Sequence, residues 1–255
     1  MSSLTRMLSV LDLFSKEHTA LSADQIAEQL ELTRTTCYRY ISELMQAGLL
    51  VSSAGVYGLG PRIIQFDHRI RETDPLINCA NDILSEVART TRSVGLLASM
   101  YNDQIINIYQ TASEDRAELQ YSRGQAVPTF RSSSSKVIVA NLRPARLKRL
   151  WAGHQTDADV QMLGADWPTF NAHMDRIRKN GYWVSRDELE AGAVGVAAPV
   201  FFGPGEVAGS MTLIFHPEHF ERFREEEIGR LLLTSASKVG KLLRHRAETQ
   251  ERPQT

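Results

Sequence analysis

Cysteine is scarce in this chain, with only Cys37 and Cys79 among 255 residues. The two lie far apart, each inside a segment of helical periodicity. No disulfide framework is suggested, and a reduced, cytosolic setting is the expectation. Long apolar runs are missing as well. None reaches the roughly 18 residues that would cross a bilayer, and the opening MSSLTRMLSVLDLF lacks the cationic stretch and unbroken apolar block of a signal peptide. Positive charge is not in excess either: 29 Lys/Arg stand against 30 Asp/Glu overall, and seven against eight within residues 1–72. Any footprint for nucleic acid must therefore be local, built from Arg34, Arg39 and their neighbours Arg6 and Arg62. No P-loop pattern accompanies the turn glycines Gly192, Gly203 and Gly205, and no nucleophile elbow surrounds the serine run at 132–135. The seven histidines are scattered. His216 and His219 have metal-like spacing without a third ligand, so neither a metal nor another cofactor is expected.

What is present is an ordinary apolar fraction, 42 %, enough for a real core in one large domain or two modest ones. The most informative stretch is residues 32–48, LTRTTCYRYISELMQAG. Cys37, Tyr40, Ile41 and Leu44 fall at i, i+3, i+4 and i+7 and make one buried stripe. The other face carries Arg34, Thr35, Tyr38, Arg39 and Ser42, basic and hydrogen-bonding, with no carboxylate before Glu43. Thr33 suits an N-cap and Gly48 the left-handed position that ends a helix.

The neighbouring segments fit around it. Leu4, Met7, Leu8, Leu11 and Phe14 predict a helix over 4–15. Ser22 with Gln25 three residues on is a capping box for a helix through Leu30. Two short strands are expected around residues 53–55, then a linker helix over 61–72 beginning at Pro61, with Asp74-Pro75 as its end. Beyond it, helical periodicity covers 76–89. Two apolar strand-like runs meet at Asn102-Asp103, a hairpin signal. Residues 118–122 suggest a third strand. Helices are predicted over 132–142, over 144–151 and from Asp166 to Gly181, then strands over 182–186, 193–202 and 207–215. A C-terminal helix is expected from about residue 222. Val194, Val196, Met211 and Leu213 alternate as core positions. Helices flanking a mainly antiparallel sheet give an α+β fold.

The order RMLSVLDLF, LSADQIAEQLELTRTTCYRYISELMQAGLL and GVYGLGPRI resembles the N-terminal winged helix-turn-helix of the IclR family of bacterial transcriptional regulators. RGQAVPTFRSSSSKVIVA and SRDELEAGAVGVAAPVFFGPGEVAGSMTLIF resemble the two best-marked segments of that family's effector domain. The resemblance runs along nearly the whole chain. It implies a winged helix over 1–60, a linker helix over 61–75 and a GAF-like effector-binding and oligomerisation domain over 76–255. It further implies double-stranded DNA with a pseudo-palindromic operator, a small-molecule effector and a homodimer or homotetramer as partners. The DNA-contacting set is then Arg34, Thr35, Thr36, Tyr38, Arg39 and Ser42. Carried over by position, the effector set is Val127, Ser133, Ser134, Ser185, Ala193, Gly195, Thr212 and Ile214.

Departures from the family pattern bear on the effector. Where members that bind small 2-oxo acids have aspartate, cysteine and serine, this chain has Ser185, Gly195 and Ile214. A charge and two polar groups give way to a hydroxyl, a void and an apolar group. The expected effector is larger and more apolar than glyoxylate or pyruvate: an aromatic or acyl carboxylate seated near Ser133 and Ser134. Two other classes stay open at this point. A winged helix can serve protein contacts instead of DNA, and a hydrolase or lyase can be imagined at residues 132–135, although no histidine is marked as a base there and no catalytic set is expected.

Overall fold

The computed structural model describes residues 2–111 and 121–250. The chain divides between Asp74 and Pro75 into two compact units.

The first unit begins with α1 (Ser3–Leu8), capped by the Ser2 hydroxyl, and a separate 3-10 turn at Leu11–Leu13. The single helix expected over 4–15 is broken because the Ser9 hydroxyl bonds back to the Arg6 carbonyl, a competition with helix continuation typical of serine. Strand β1 (Leu21–Ser22) leads into α2 (Ala23–Gln29), where the capping box forms in both directions: Gln25 N–H to Ser22 Oγ at 3.3 Å and Ser22 N–H to Gln25 Oε1 at 2.8 Å. Helix α3 (Arg34–Gln46) follows after a tight turn, capped by Thr33. Gly48 ends the segment at φ +71°, a conformation that costs a glycine little. Strands β2 (Leu50–Ser53) and β3 (Val56–Leu59) form the hairpin, and β1 adds to it in the order β1-β3-β2. A two-residue strand leaves no periodic signal, which is why β1 escapes the sequence. The core of this unit gathers Val10, Leu21, Ile26, Cys37, Tyr40, Ile41, Leu44 and Leu50. Helix α4 (Arg62–Thr73) ends the unit without a single buried residue.

The second unit opens with α5 (Pro75–Thr91), then β4 (Val94–Tyr101) and β5 (Gln104–Gln110), joined by Asn102 and Asp103 at φ +47° and +65°. The strand expected over 118–122 lies mostly outside the described residues. The outer partner of β5 is β6 (Ala126–Val127). Next come α6 (Ser133–Ala140), α7 (Pro144–Gly153), the unforeseen α8 (Ala158–Leu163) and α9 (Trp167–Asn180). Asp166 accepts from the Thr169 N–H to cap α9, and Gly181 closes it at φ +76°. Strands β7 (Trp183–Arg186), β8 (Val194–Gly203) and β9 (Glu206–Phe215) complete a sheet in the order β6-β5-β4-β9-β8-β7, every adjacent pair antiparallel. The short α10 (Pro217–Phe220) and the long α11 (Glu225–Gln250) follow.

Strand alternation sorts this sheet into two faces. Val194, Val196, Ala198, Met211 and Leu213 pack with Leu84 of α5 and with Ile228, Leu232 and Val239 of α11. Ala98, Ile105, Val127 and Ala197 turn the other way, against Val137 and Ile138 of α6 and Phe170 and Met174 of α9. Near one end of this second face the apolar filling stops and a cavity begins. Among the described residues no helix is long and apolar enough to cross a membrane.

Candidate functional site

Helix α3 buries Cys37, Tyr40, Ile41 and Leu44, as the stripe predicts. Arg34, Thr35, Tyr38, Arg39 and Ser42 are exposed together. Tyr38 stays 54 % exposed, unusual for a ring with no function to serve outside. Thr36 differs from its neighbours: it is half-buried and spent on the cap, its N–H on Thr33 Oγ1 at 3.3 Å and its own Oγ1 accepting from Thr33 at 2.9 Å. Arg34 grips Asp24 of α2 through Nε at 3.0 Å and Nη2 at 3.2 Å. That pair is solvent-exposed and worth at most about 1 kcal/mol, so a phosphate can displace the carboxylate. Arg39 has no such partner; its guanidinium lies 5.5 Å from the Tyr40 ring centre. Arg6 and Arg62 serve the fold instead, donating to the Leu30 and Ala47 carbonyls near the ends of α2 and α3. The local basic patch therefore reduces to Arg34 and Arg39.

The cavity in the second unit encloses about 460 Å³, part of it continuous with solvent. Its floor is the sheet: Asn107 on β5, Leu96 on β4, Thr212 and Ile214 on β9, and Gly195 on β8. Ser185 of β7 forms one side, the start of α6 the roof, and Glu188, Leu189, Glu190 and Ala193 a loop across the mouth. Seven of the eight positions carried over by resemblance meet at this cavity: Ser133, Ser134, Ser185, Ala193, Gly195, Thr212 and Ile214. Val127 does not line it. It pairs with Ile105 and sits 3 % exposed in the core against α6.

Gly195 leaves no void. A Cβ there would stand 2.7 Å from Ser133 Oγ and 2.9 Å from Ser185 Oγ, so the two hydroxyls already occupy the space a larger side chain would need. The expected void is thus corrected: the roof has come down onto the glycine. Room for a ligand lies further along the floor, toward Leu96, Thr212 and Asn107.

At the roof, Ser132 Oγ accepts from the Ser135 N–H at 3.0 Å and caps α6, while the first intrahelical bond runs from Lys136 N–H to Ser132 O. The amides of Ser133 and Ser134 precede that bond. They point out of the helix with its positive dipole end, an arrangement that suits an anion. The Ser132 hydroxyl also bonds Ser134 Oγ at 2.8 Å and Ser135 Oγ at 3.0 Å. Among the described residues these hydroxyls pair with one another, and none bonds a histidine or carboxylate that would activate a nucleophile.

Loop and roof are tied by charge. Lys136, almost fully buried, donates to Glu188 Oε2 at 2.7 Å, so the Glu188 carboxylate beside the cavity is neutralised. Lys136 also faces the Trp183 ring at 5.9 Å. Asp187 at φ +56° and its Oδ1, accepting from Gly192 N–H at 2.7 Å, shape the loop that carries Glu188. His219 bonds the Thr91 carbonyl at 2.8 Å, so one member of the metal-like histidine pair is engaged in the fold. Among the described residues no cluster of three His, Cys, Asp or Glu side chains is placed to hold an ion.

Comparison with known families settles what this pairing of a displayed helix and an enclosed cavity belongs to. Residues 3–54 match the IclR helix-turn-helix domain, and residues 69–241 match the bacterial transcriptional regulator IclR C-terminal domain. The chain belongs to the IclR family. Among IclR relatives, the Pca regulon regulatory protein of Pseudomonas putida is 23 % identical over 93 % of this chain and 82 % of its own length. The crystal structure of an IclR transcriptional regulator from Alicyclobacillus acidocaldarius superposes with a TM-score of 0.78 at 23 % identity, covering 94 % of this chain and 98 % of that one. An IclR homolog from Microbacterium hydrocarbonoxydans, solved in complex with 4-hydroxybenzoate, gives 0.74 at 20 % identity over 96 % and 100 %.

The sequence reading missed Leu96, Asn107, Tyr121, Ser132, Glu188, Leu189 and Glu190 as cavity wall. Only Asn107 carried a signal, a lone amide inside the apolar strand QIINIYQ. The loop residues lie about 50 positions from α6, and nothing in their local pattern links them to it.

Proposed function

We infer that this IclR-family chain is an effector-controlled transcriptional regulator acting in the cytoplasm. In this reading residues 1–60 are the DNA head, 61–75 the linker and 76–255 the effector and oligomerisation domain. Two copies, or four, present two heads to a pseudo-palindromic operator. Leu4, Leu8, Ile64, Phe66 and Ile70 are exposed on α1 and α4 and supply an apolar surface for pairing heads. Thr35, Tyr38, Arg39 and Ser42 enter the major groove, with Arg34 released from Asp24 onto a phosphate and Thr36 holding the helix start.

The observation that carries the effector half is the cavity, closed over by the free amides of α6. An aromatic or acyl carboxylate would place its anion on the Ser133 and Ser134 N–H groups and its apolar body against Leu96 and Ile214. The aromatic acid in the Microbacterium hydrocarbonoxydans relative supports that class. Lys136 offsets Glu188, which keeps the roof compatible with an anion. The effector can shift DNA binding by no more than its own preference between the two arrangements of the heads.

Fluorescence anisotropy of the full chain on DNA upstream of its own gene, against scrambled competitor, tests the first half. Tight binding that survives competitor and weakens on adding an aromatic carboxylate is the expected result. Equal affinity for random DNA would favour a protein partner for the winged helix. Thermal-shift screening tests the second half, since stabilisation by two- and three-carbon acids alone would sink the larger effector.

A further inference from the structure

The cavity holds one buried group whose needs are left open in a single direction. Asn107 is 1 % exposed. Its backbone N–H donates to Gln125 O at 3.1 Å and its carbonyl accepts from Gly124 N–H at 2.7 Å. Its side-chain Nδ2 donates to the Tyr121 carbonyl at 2.7 Å. A carbonyl can only accept, so the atom facing it must be the nitrogen, and this fixes the orientation of the amide. The remaining atom, Oδ1, is buried and has no partner among the described residues. Buried polar groups are nearly always bonded, and an amide locked by three bonds cannot turn to find a partner elsewhere. Thr212 Oγ1, 1 % exposed on the same floor, is also without a partner. A hydroxyl both gives and takes, so Thr212 does not specify its counterpart. Asn107 does: it demands a donor.

We propose that Asn107 Oδ1 is an acceptor subsite of the cavity, and that the effector carries a hydroxyl or amino donor at the end opposite its carboxylate. The proposal rests on the reading of this cavity as the carboxylate effector site. Geometry supports it. Ser133 Oγ lies over Gly195 of β8, and β5 is three strands away in the order β5-β4-β9-β8. Three strand spacings give at most about 14 Å, and a hydrogen bond of about 3 Å at each end leaves about 8 Å for the ligand. A benzene ring with a carboxylate and a donor in para positions is of that order, and the ring would lie over Leu96, Thr212 and Ile214.

The test is isothermal titration of the full-length protein with benzoate and its 4-hydroxy, 4-amino, 4-methoxy and 4-methyl derivatives, repeated on Asn107→Leu and Thr212→Val. The wild type should bind the hydroxy and amino acids at least about tenfold more tightly than the methoxy and methyl ones. The methoxy compound matches the hydroxyl in polarity at oxygen but cannot donate. Asn107→Leu should collapse that preference while retaining the methyl compound, and Thr212→Val should keep the preference. Equal binding of donor and non-donor acids by the wild type overturns the proposal while leaving the carboxylate site standing, a result that does not depend on whether Asn107→Leu folds. A preference that persists in a folded Asn107→Leu protein also overturns it. Failure of every acid to bind removes the carboxylate reading, and the subsite with it.

Discussion

Helices α3 and α6 begin with the same device and are put to opposite uses. Each is preceded by a hydroxyl residue, Thr33 or Ser132, whose oxygen accepts an N–H of the first turn. Yet α3 buries only four residues of its 13, while all eight of α6 are buried. A helix that reads a polymer has to leave a face outside, because the partner approaches from solvent. A helix that receives a small anion can be sunk in the core, since only its first amides need to be reached. The difference lies in what surrounds the N-terminus, and it predicts that comparable substitutions in the two helices will fail in different assays.

The largest contrast is in stability. Ile138→Ala deletes a side chain with no exposed surface in α6 and should cost about 2–5 kcal/mol in denaturant unfolding. Arg39→Ala on the exposed face of α3 should cost less than about 0.5 kcal/mol in the same measurement. Similar losses at the two sites would mean that α3 is held by contacts its exposed face does not show.

The order reverses for DNA. Arg39→Ala should weaken operator binding by about 1–3 kcal/mol if the guanidinium makes a bidentate base contact, read by anisotropy at fixed salt. A loss that is equal on operator and random DNA, with the salt slope reduced by about one, would move Arg39 to a phosphate. Ile138→Ala, provided the protein remains folded at the assay temperature, should leave operator affinity in the absence of ligand near that of the wild type.

The caps give a finer comparison. Thr33→Ala removes one cap and should cost about 1 kcal/mol. Ser132→Ala should cost more, about 2 kcal/mol, because it also strips partners from the buried Ser134 and Ser135 hydroxyls. Equal costs in chemical denaturation would show that the serine network relaxes and that the roof of the cavity is softer than its burial implies.

How far the sequence discloses this molecule follows the same division. The stripe of α3 was legible because one face is wet and one is dry, and amphipathic periodicity records that contrast directly. The alternation of β8 and β9 was legible for a related reason, as Val194, Val196, Met211 and Leu213 all turn to one core. Elements without periodic contrast were not. β1 and β6 are two residues each, and α8 is six. The cavity was half legible: resemblance brought seven positions to it, while the Lys136–Glu188 pair joins residues 52 apart in a contact that no local pattern encodes. Gly195 shows the opposite error. Its missing side chain reads as space, and the structure fills that space with two hydroxyls from other elements.

The smallest predicted effect concerns His173, on α9 behind the cavity wall. Burial pushes its imidazole below the ordinary value of 6.5, and the charges of Lys136 and Arg176 push the same way. Its ring lies 5.2 Å from Trp183, and Nε2 is a buried atom without a hydrogen-bond partner among the described residues. Since the folded form resists the proton, the unfolded chain takes it first as pH falls. The stability supplied by the neutral ring is therefore complete above about pH 6.5 and declines as pH drops from there through the folded value, below which the loss levels off. His173→Phe, which keeps a ring against Trp183 and cannot titrate, should flatten that part of the profile in thermal melts taken from pH 7.5 to pH 5. A slope left unchanged would assign the acid sensitivity to other groups. A loss of stability in His173→Phe at every pH would show that the ring nitrogen, although unpartnered, sits where a carbon cannot.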